Sequence, residues 1–244
     1  KKTQYQIPSP QKNEAQIPRY LDSEDLQKLK DYKPESEQEE LAKDVWLLSY
    51  YLGGCNAVDL CNFRKSNIVK EHNQLVFYRR KNSMKQSQTV SRVPLTDEAL
   101  KLIEKYKPES VVILNKFKSS EDQLKGVYGE ELTPSITGFT NHIPVEQNKF
   151  LMNFHQNSAN VENTADNLRR NLNKRYLKDI ALKTNMKQSL NFQMARHTCF
   201  SNLQREGATF NEMLEISGHS RTETLRNYLN DLRPKDMHKL AEKL

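Results

Sequence analysis

Three short stretches in the C-terminal quarter of the chain hold residue types suited to work on a phosphodiester. Arg196 and His197 stand within Ala195-Arg196-His197-Thr198. His219, in Gly218-His219-Ser220, follows Arg196 by 23 positions, and Tyr228 follows His219 by nine. An arginine fork is planar, permanently charged and bidentate, which matches phosphate oxygens. Fixed cations aimed at the non-bridging oxygens stabilise the extra negative charge that builds as a diester is attacked. A tyrosine hydroxyl, with a free pKa of about 10, is a poor nucleophile at neutral pH unless cations or a base assist it. Taken singly, each residue has a plainer reading. Tyr228 shares an apolar stripe with Leu225 and Leu229, Arg196 could be a surface or ion-paired arginine, His219 could cap a turn, and His197 reads as a packed, hydrogen-bonded side chain.

The elements that must position this set are mostly helical. The polar, Pro-bearing stretch 1–19 reads as a linker or arm, and folding is expected from Tyr20 onward. Asp22 or Ser23 can cap a helix to about Lys30, and a second helix is expected over Ser36–Leu52, stopped by Gly53-Gly54. A short helix over Ala57–Phe63 follows. Gln74–Arg80 and Gln88–Leu95 alternate like strands around a polar loop, Lys81–Ser87, and predict a β-hairpin. Thr96 caps a helix to Tyr106. Residues 107–165 read as an insertion of loops and a small helix, with Val111–Leu114 a candidate strand. Helices are then expected over Asn167–Thr184 and Asn191–Arg205. Thr209–Glu212 and Ser220–Glu223 form two capping boxes that open two further helices. The tail, 233–244, carries Met237, Leu240 and Leu244 on a narrow stripe and is expected to be helical. The fold class is mainly α with a small antiparallel β-sheet (α+β).

Composition narrows the partners. The 244 residues carry a formal charge of +7, with a pI near 9.1. Residues 21–50 are locally acidic, at −5, so the excess positive charge lies elsewhere. A basic body suits a polyanion. The acidic run Glu35–Glu40 reads as a solvated face. No run approaches the roughly 18 apolar residues of a membrane span, and a soluble, cytoplasmic protein is expected. Cys55, Cys61 and Cys199 are scattered and read as reduced, buried thiols. His72, His142, His155 and His238 lack metal-ligand spacing, and neither a metal nor another cofactor is expected.

The ordered set Arg196, Gly218-His219-Ser220 and Tyr228 resembles the second half of the tyrosine recombinase (phage integrase) signature. The likeness continues upstream. Tyr20-Leu21 before an acidic helix is similar to the opening of the family's catalytic domain. Gly54-Cys-Asn-Ala-Val-Asp59-Leu60 resembles its G-x-R-x-x-[DE]-L turn, and the hairpin around Tyr78-Arg79-Arg80-Lys81 resembles the strand pair whose loop carries a catalytic lysine. The resemblance covers about residues 20–230, interrupted by 107–165. It assigns 20–244 to a catalytic domain and implies a further domain, outside this sequence, that clamps the other side of the DNA, so the chain is expected to be a fragment.

The resemblance implies site-specific recombination, the integration or excision of a mobile element, by strand cleavage and religation through a 3′-phosphotyrosyl bond. Tyr228 is then the nucleophile and Arg196 a phosphate cation. His219 holds the phosphate or orients the site. Lys81 is the general acid, with Lys85 as the alternative. Two departures stand out. The family's first arginine falls at Asn56, and the histidine three residues before the second falls at Gln193, which can donate a hydrogen bond without charge. Some mobile-element integrases carry a small polar residue at the first position and recruit another arginine. Arg79 is the first candidate here, with Arg80, Arg92 and Arg64 as alternatives. Together with Lys85 and Arg221, those last three are also expected to touch double-stranded DNA. The tail is expected to dock on a neighbouring protomer of a DNA-bound tetramer, and a nucleoid-associated bacterial or phage setting follows from the family. Two other classes stay open: a DNA-binding relative that no longer cleaves, and a type IB topoisomerase.

Overall fold

The computed structural model describes residues 19–79, 90–106, 152, 161–219 and 222–232. Within them the order is α1 (Ser23–Asp31), α2 (Glu37–Tyr51), α3 (Ala57–Asn62), β1 (Ile68–Val69), β2 (Gln74–Tyr78), β3 (Val90–Pro94), α4 (Asp97–Lys105), α5 (Val161–Asn171), α6 (Leu177–Lys183), α7 (Met194–Arg205), α8 (Phe210–Ser217) and α9 (Thr222–Leu232). The mainly helical class with one small antiparallel sheet is what the sequence predicts. The expected arm, the hairpin loop with Lys81 and Lys85, most of the 107–165 insertion, Ser220 and the tail lie outside the described residues.

Local chemistry accounts for the helix ends. The Asp22 carboxylate accepts from the backbone N–H of Asp25 to start α1, Ser36 Oγ accepts from Glu39 to start α2, and Thr96 Oγ1 accepts from Ala99 to start α4. At α8 the Thr209–Glu212 box is closed in both directions. The helix expected from Asn167 begins earlier, at Val161, inside the stretch read as an insertion. Leu172–Tyr176 forms a π segment between α5 and α6. There the Asn173 side chain accepts from the backbone N–H of Phe192 at 2.7 Å, which ties this helix to the approach of α7.

The sheet has the order β1-β2-β3, antiparallel throughout, with Leu75 opposite Val93 and Phe77 opposite Ser91. The sequence predicts β2 and β3 but not β1, whose two residues are too few to show alternation.

Most of the apolar core surrounds α2. Trp46, Leu41, Leu48 and Leu52 are fully enclosed, with Leu60, Leu75, Leu172 and Ile180 from neighbouring elements. The Trp46 indole donates to the Asn191 carbonyl at 2.9 Å, and Thr198 Oγ1 accepts from the Leu21 N–H at 2.9 Å. These long-range bonds fix the approach to α7 and its first half against the body. A second, smaller cluster joins Phe200 of α7, Met213 of α8, and Leu225 and Leu229 of α9. Tyr228 packs against that cluster.

The run Glu35–Glu40 is not simply solvated. Glu39 is buried. It accepts from the Tyr32 hydroxyl, the Glu35 N–H and Lys183. Burial pushes its carboxyl up, but those donors outweigh burial and hold it below the ordinary 4.5.

Candidate active site

Strand alternation brings the first cation inward. Leu75 and Phe77 point to the core and Tyr78 points out, so Arg79, directly after β2, falls on the inner side and is only 6% exposed. Its Nη2 donates to the carbonyls of Gly53 and Ile216, at 3.1 and 3.2 Å. Its Nη1 lies 3.6 Å from Asp59 Oδ2, a buried ion pair. Asp59 also accepts from the Asn56 N–H at 3.2 Å. Burial and the neighbouring Arg196 lower the Arg79 pKa to about 10, so it stays charged at neutral pH.

Arg196 sits on the first turn of α7, and the chain comes very close to it. A Cβ placed on Gly54, whose φ is +64°, would lie 2.5 Å from the Arg196 Cα. Glycine is required there for steric and conformational reasons. Arg196 Nη1 donates to the Gly54 carbonyl at 3.2 Å, and its guanidinium carbon lies 4.9 Å from the Phe200 ring centre and 5.6 Å from that of Tyr228. Among the described residues no carboxylate pairs with it.

Gly218 ends α8 in the left-handed conformation, at φ +59°, and turns the chain toward His219. A Cβ there would collide with Ser91 Oγ. The His219 ring centre is 6.2 Å from that of Tyr228. Burial, then Arg196 and Arg79, push its pKa down to about 4. Its Nδ1 is buried without a partner among the described residues, as are Arg79 Nε and Ser91 Oγ.

Tyr228 is half-buried on α9, and its hydroxyl lies 2.9 Å from His197 Nδ1. The two rings are nearly parallel, 23° apart, with centres 5.4 Å apart. Burial raises the phenol above its ordinary 10, and Arg196 opposes the rise. His197 is held below 6.5 by burial, Arg196 and Arg19. A cleft of about 350 Å³ opens beside this pair, lined by Arg19, Gln188, Ser189, Gln193 and His197 among others. Next to it, sharing Ser189 and Asn191, lies a wider concavity of about 520 Å³ whose lining includes Arg169, Arg170, Lys174 and Lys178.

The phage integrase family model matches residues 19–233. The chain belongs to the phage integrase family. A comparison with curated proteins gives no match. Among solved structures, the Tn1549 transposon integrase in complex with transposon right end DNA superposes with a TM-score of 0.53 at 13% identity, over 94% of this chain and 68% of that one. The same integrase with a circular intermediate DNA gives 0.52 at 14% identity, over 88% and 63%. The XerA recombinase gives 0.50 at 14%, over 92% and 64%. The chain thus spans just under two thirds of the XerA recombinase and of the integrase bound to circular intermediate DNA, and at such identities the likeness is one of fold.

Of the residues singled out in the sequence, Arg79, Arg196, His219 and Tyr228 of this phage integrase family chain come together, with Gln193 on the adjoining cleft. Arg92 does not join them. It is exposed on β3, while its neighbour Ser91 points inward. Arg64 precedes a 3-10 turn at Lys65–Asn67, where its N–H donates to the Asn67 side chain. Arg80, Lys81, Lys85 and Arg221 lie outside the described residues. His197, read from the sequence as a packed, hydrogen-bonded side chain, has the Tyr228 phenol as its partner. Nothing in the local sequence signals that contact, because the pairing depends on where α9 settles across α7.

Proposed function

We propose that this chain is the catalytic part of a tyrosine recombinase that cuts and rejoins double-stranded DNA through Tyr228, moving a mobile element by integration or excision. The observation that carries the reading is the convergence of Arg79, Arg196 and His219 around one phenol, where among the described residues the carboxylate that pairs with them is Asp59, on Arg79. A scissile phosphate supplies the missing negative charge. Its oxygens meet Arg196 and His219, and the charge grows in the pentavalent state, where fixed cations count most. Attack by the Tyr228 oxygen gives a 3′-phosphotyrosyl bond and frees a 5′ hydroxyl. The reverse attack restores the backbone without ATP. Lys81 is assigned the proton delivered to the leaving oxygen.

Arg79 is assigned the role of the family's first arginine. Asn56 cannot supply a cation, but Asp59, three residues on, is paired with Arg79 from β2. The charge therefore reaches the same turn from a different element. Arg169, Arg170, Lys174 and Lys178 extend a basic surface from the cleft and are assigned phosphate contacts, which makes binding weaken with salt. The 233–244 tail is assigned to a neighbouring protomer in a DNA-bound tetramer.

Incubation with a nicked suicide duplex tests the reading. The protein is expected to form a covalent adduct, and Tyr228→Phe none. An adduct with Tyr228→Phe, or none with the unaltered protein, overturns it. Relaxation of supercoils by protein that never synapses two sites places the chain with type IB topoisomerases instead.

A further inference from the structure

We propose that His197 is the proton acceptor that activates Tyr228, a role resting on the assignment of Tyr228 as nucleophile. The contact is direct. His197 Nδ1 stands 2.9 Å from the phenolic oxygen, with the rings almost parallel. In the proposed role the phenol is the donor, so that Nδ1 holds the lone pair and the ring proton is on Nε2. This is hydrogen-bond reach for a general base.

The other polar groups around the phenol serve less well. Arg196 carries no acceptor. His219 has no recorded hydrogen bond to Tyr228, and its ring centre is farther away, at 6.2 Å. Gln193, one turn before His197 on α7, stands where the family carries a histidine, and an amide has no useful proton affinity. The groups facing His197 are the Tyr228 phenol on α9, Arg196 on its own helix and Arg19 from the chain preceding α1. Both charges are positive, so the imidazole is neutral and able to accept at pH 7.

The step balances as follows. The Tyr228 O–H bond breaks and its proton moves to Nδ1, leaving an imidazolium. The phenolic oxygen bonds to phosphorus while the bond from phosphorus to the 5′ oxygen breaks, and that oxygen takes a proton from a separate acid. In religation the imidazolium returns its proton to the phenol. An imidazolium beside Arg196 and Arg19 is unfavourable until an anion is present. A seated phosphate lifts that penalty, so nucleophile activation is coupled to DNA occupancy.

Single-turnover cleavage of the suicide duplex, with DNA affinity measured in parallel, tests this. His197→Ala is expected to slow cleavage about 10²-fold or more at pH 7, with DNA affinity unchanged. The rate of this variant should climb steadily with pH, where the unaltered protein reaches a plateau once the imidazole is neutral. Added imidazole should restore part of the rate. His197→Gln, which keeps a hydrogen-bond acceptor without proton affinity, should be as slow as the alanine variant, and unchanged DNA affinity in both shows that the fold is intact. Cleavage by His197→Ala within about threefold of the unaltered protein, faster cleavage, or full activity in His197→Gln each overturns the role of His197. These outcomes leave the nucleophile in place, because its own test is the Tyr228→Phe adduct.

Discussion

Charge is treated in opposite ways on two faces of this molecule. Around α1 and α2, Lys28, Lys105, Lys183 and Lys187 each meet two carboxylates: Glu24 with Asp25, Glu40 with Asp44, Glu35 with Glu39, and Asp22 with Glu24. Around Tyr228, two guanidiniums stand near each other and, among the described residues, one carboxylate answers them, Asp59 at 3.6 Å from Arg79. The first face is settled internally and helps to hold the fold. Among the described residues the second is left positive, and burial, then Arg196, lower Arg79 to about 10, a cost that its charge carries in the folded state. An uncompensated, partly desolvated cluster is a site prepared for an anion.

The comparison breaks most sharply at the guanidiniums. Arg196→Ala is expected to slow cleavage by about 10²–10³-fold, roughly 3–4 kcal/mol in the transition state, while leaving the urea midpoint of the DNA-free protein unchanged or raised. Arg79→Ala should slow cleavage as well, but it should also lower stability by about 3–5 kcal/mol, because the buried Asp59 then loses the guanidinium charge facing it. Parallel urea titrations and single-turnover rates separate the two. A large stability loss in Arg196→Ala would mean that its charge is compensated after all.

Much of this contrast was legible in the sequence. The spacing of Arg196, His219 and Tyr228, the capping residues and the helical stripes announced the α-rich frame and the site. Arg79 was legible through alternation, since Leu75, Phe77 and Arg79 share one face of β2. The contact of His197 with Tyr228 was not, because it arises from the crossing of α7 and α9, and no local periodicity encodes a crossing. The acidic run misled for a related reason. Glu39 looks solvated in sequence, but its donors Tyr32 and Lys183 come from a loop and from α6, and only tertiary packing brings them together. Helical continuity from Val161 was hidden because 161–166, VENTAD, is polar but for Val161 and Ala165.

A smaller effect concerns acid stability. Folding lowers His219 from 6.5 to about 4. The unfolded chain therefore takes up a proton as the pH falls through 6.5, and the folded chain does not until about 4. His219 thus costs nothing above pH 6.5, and stability declines as the pH falls from there toward 4. His197, also lowered, adds to the decline in the same direction. His219→Gln should flatten the fall of the urea midpoint between pH 6.5 and 4.5. Added inorganic phosphate should flatten it in the unaltered protein, by stabilising the charged imidazole. An identical decline in His219→Gln would assign the acid sensitivity elsewhere.

The smallest effect belongs to the compensated face and is its control. Glu39 is depressed below 4.5, so by the same linkage its contribution is fully present above about pH 4.5 and is lost only as the pH falls below that. Its acid limb therefore lies under the histidine limb and can be told apart from it. Glu39→Gln keeps the shape but replaces charge-assisted bonds from Lys183, Tyr32 and the Glu35 N–H, and is expected to cost about 1–2 kcal/mol at pH 7. Cleavage, measured below the urea transition, should be unchanged, because no contact recorded for Glu39 reaches Tyr228. If instead this variant slowed cleavage while the fold stayed intact, the two faces would be coupled, and the separation between charge that holds the fold and charge that awaits a phosphate would fail.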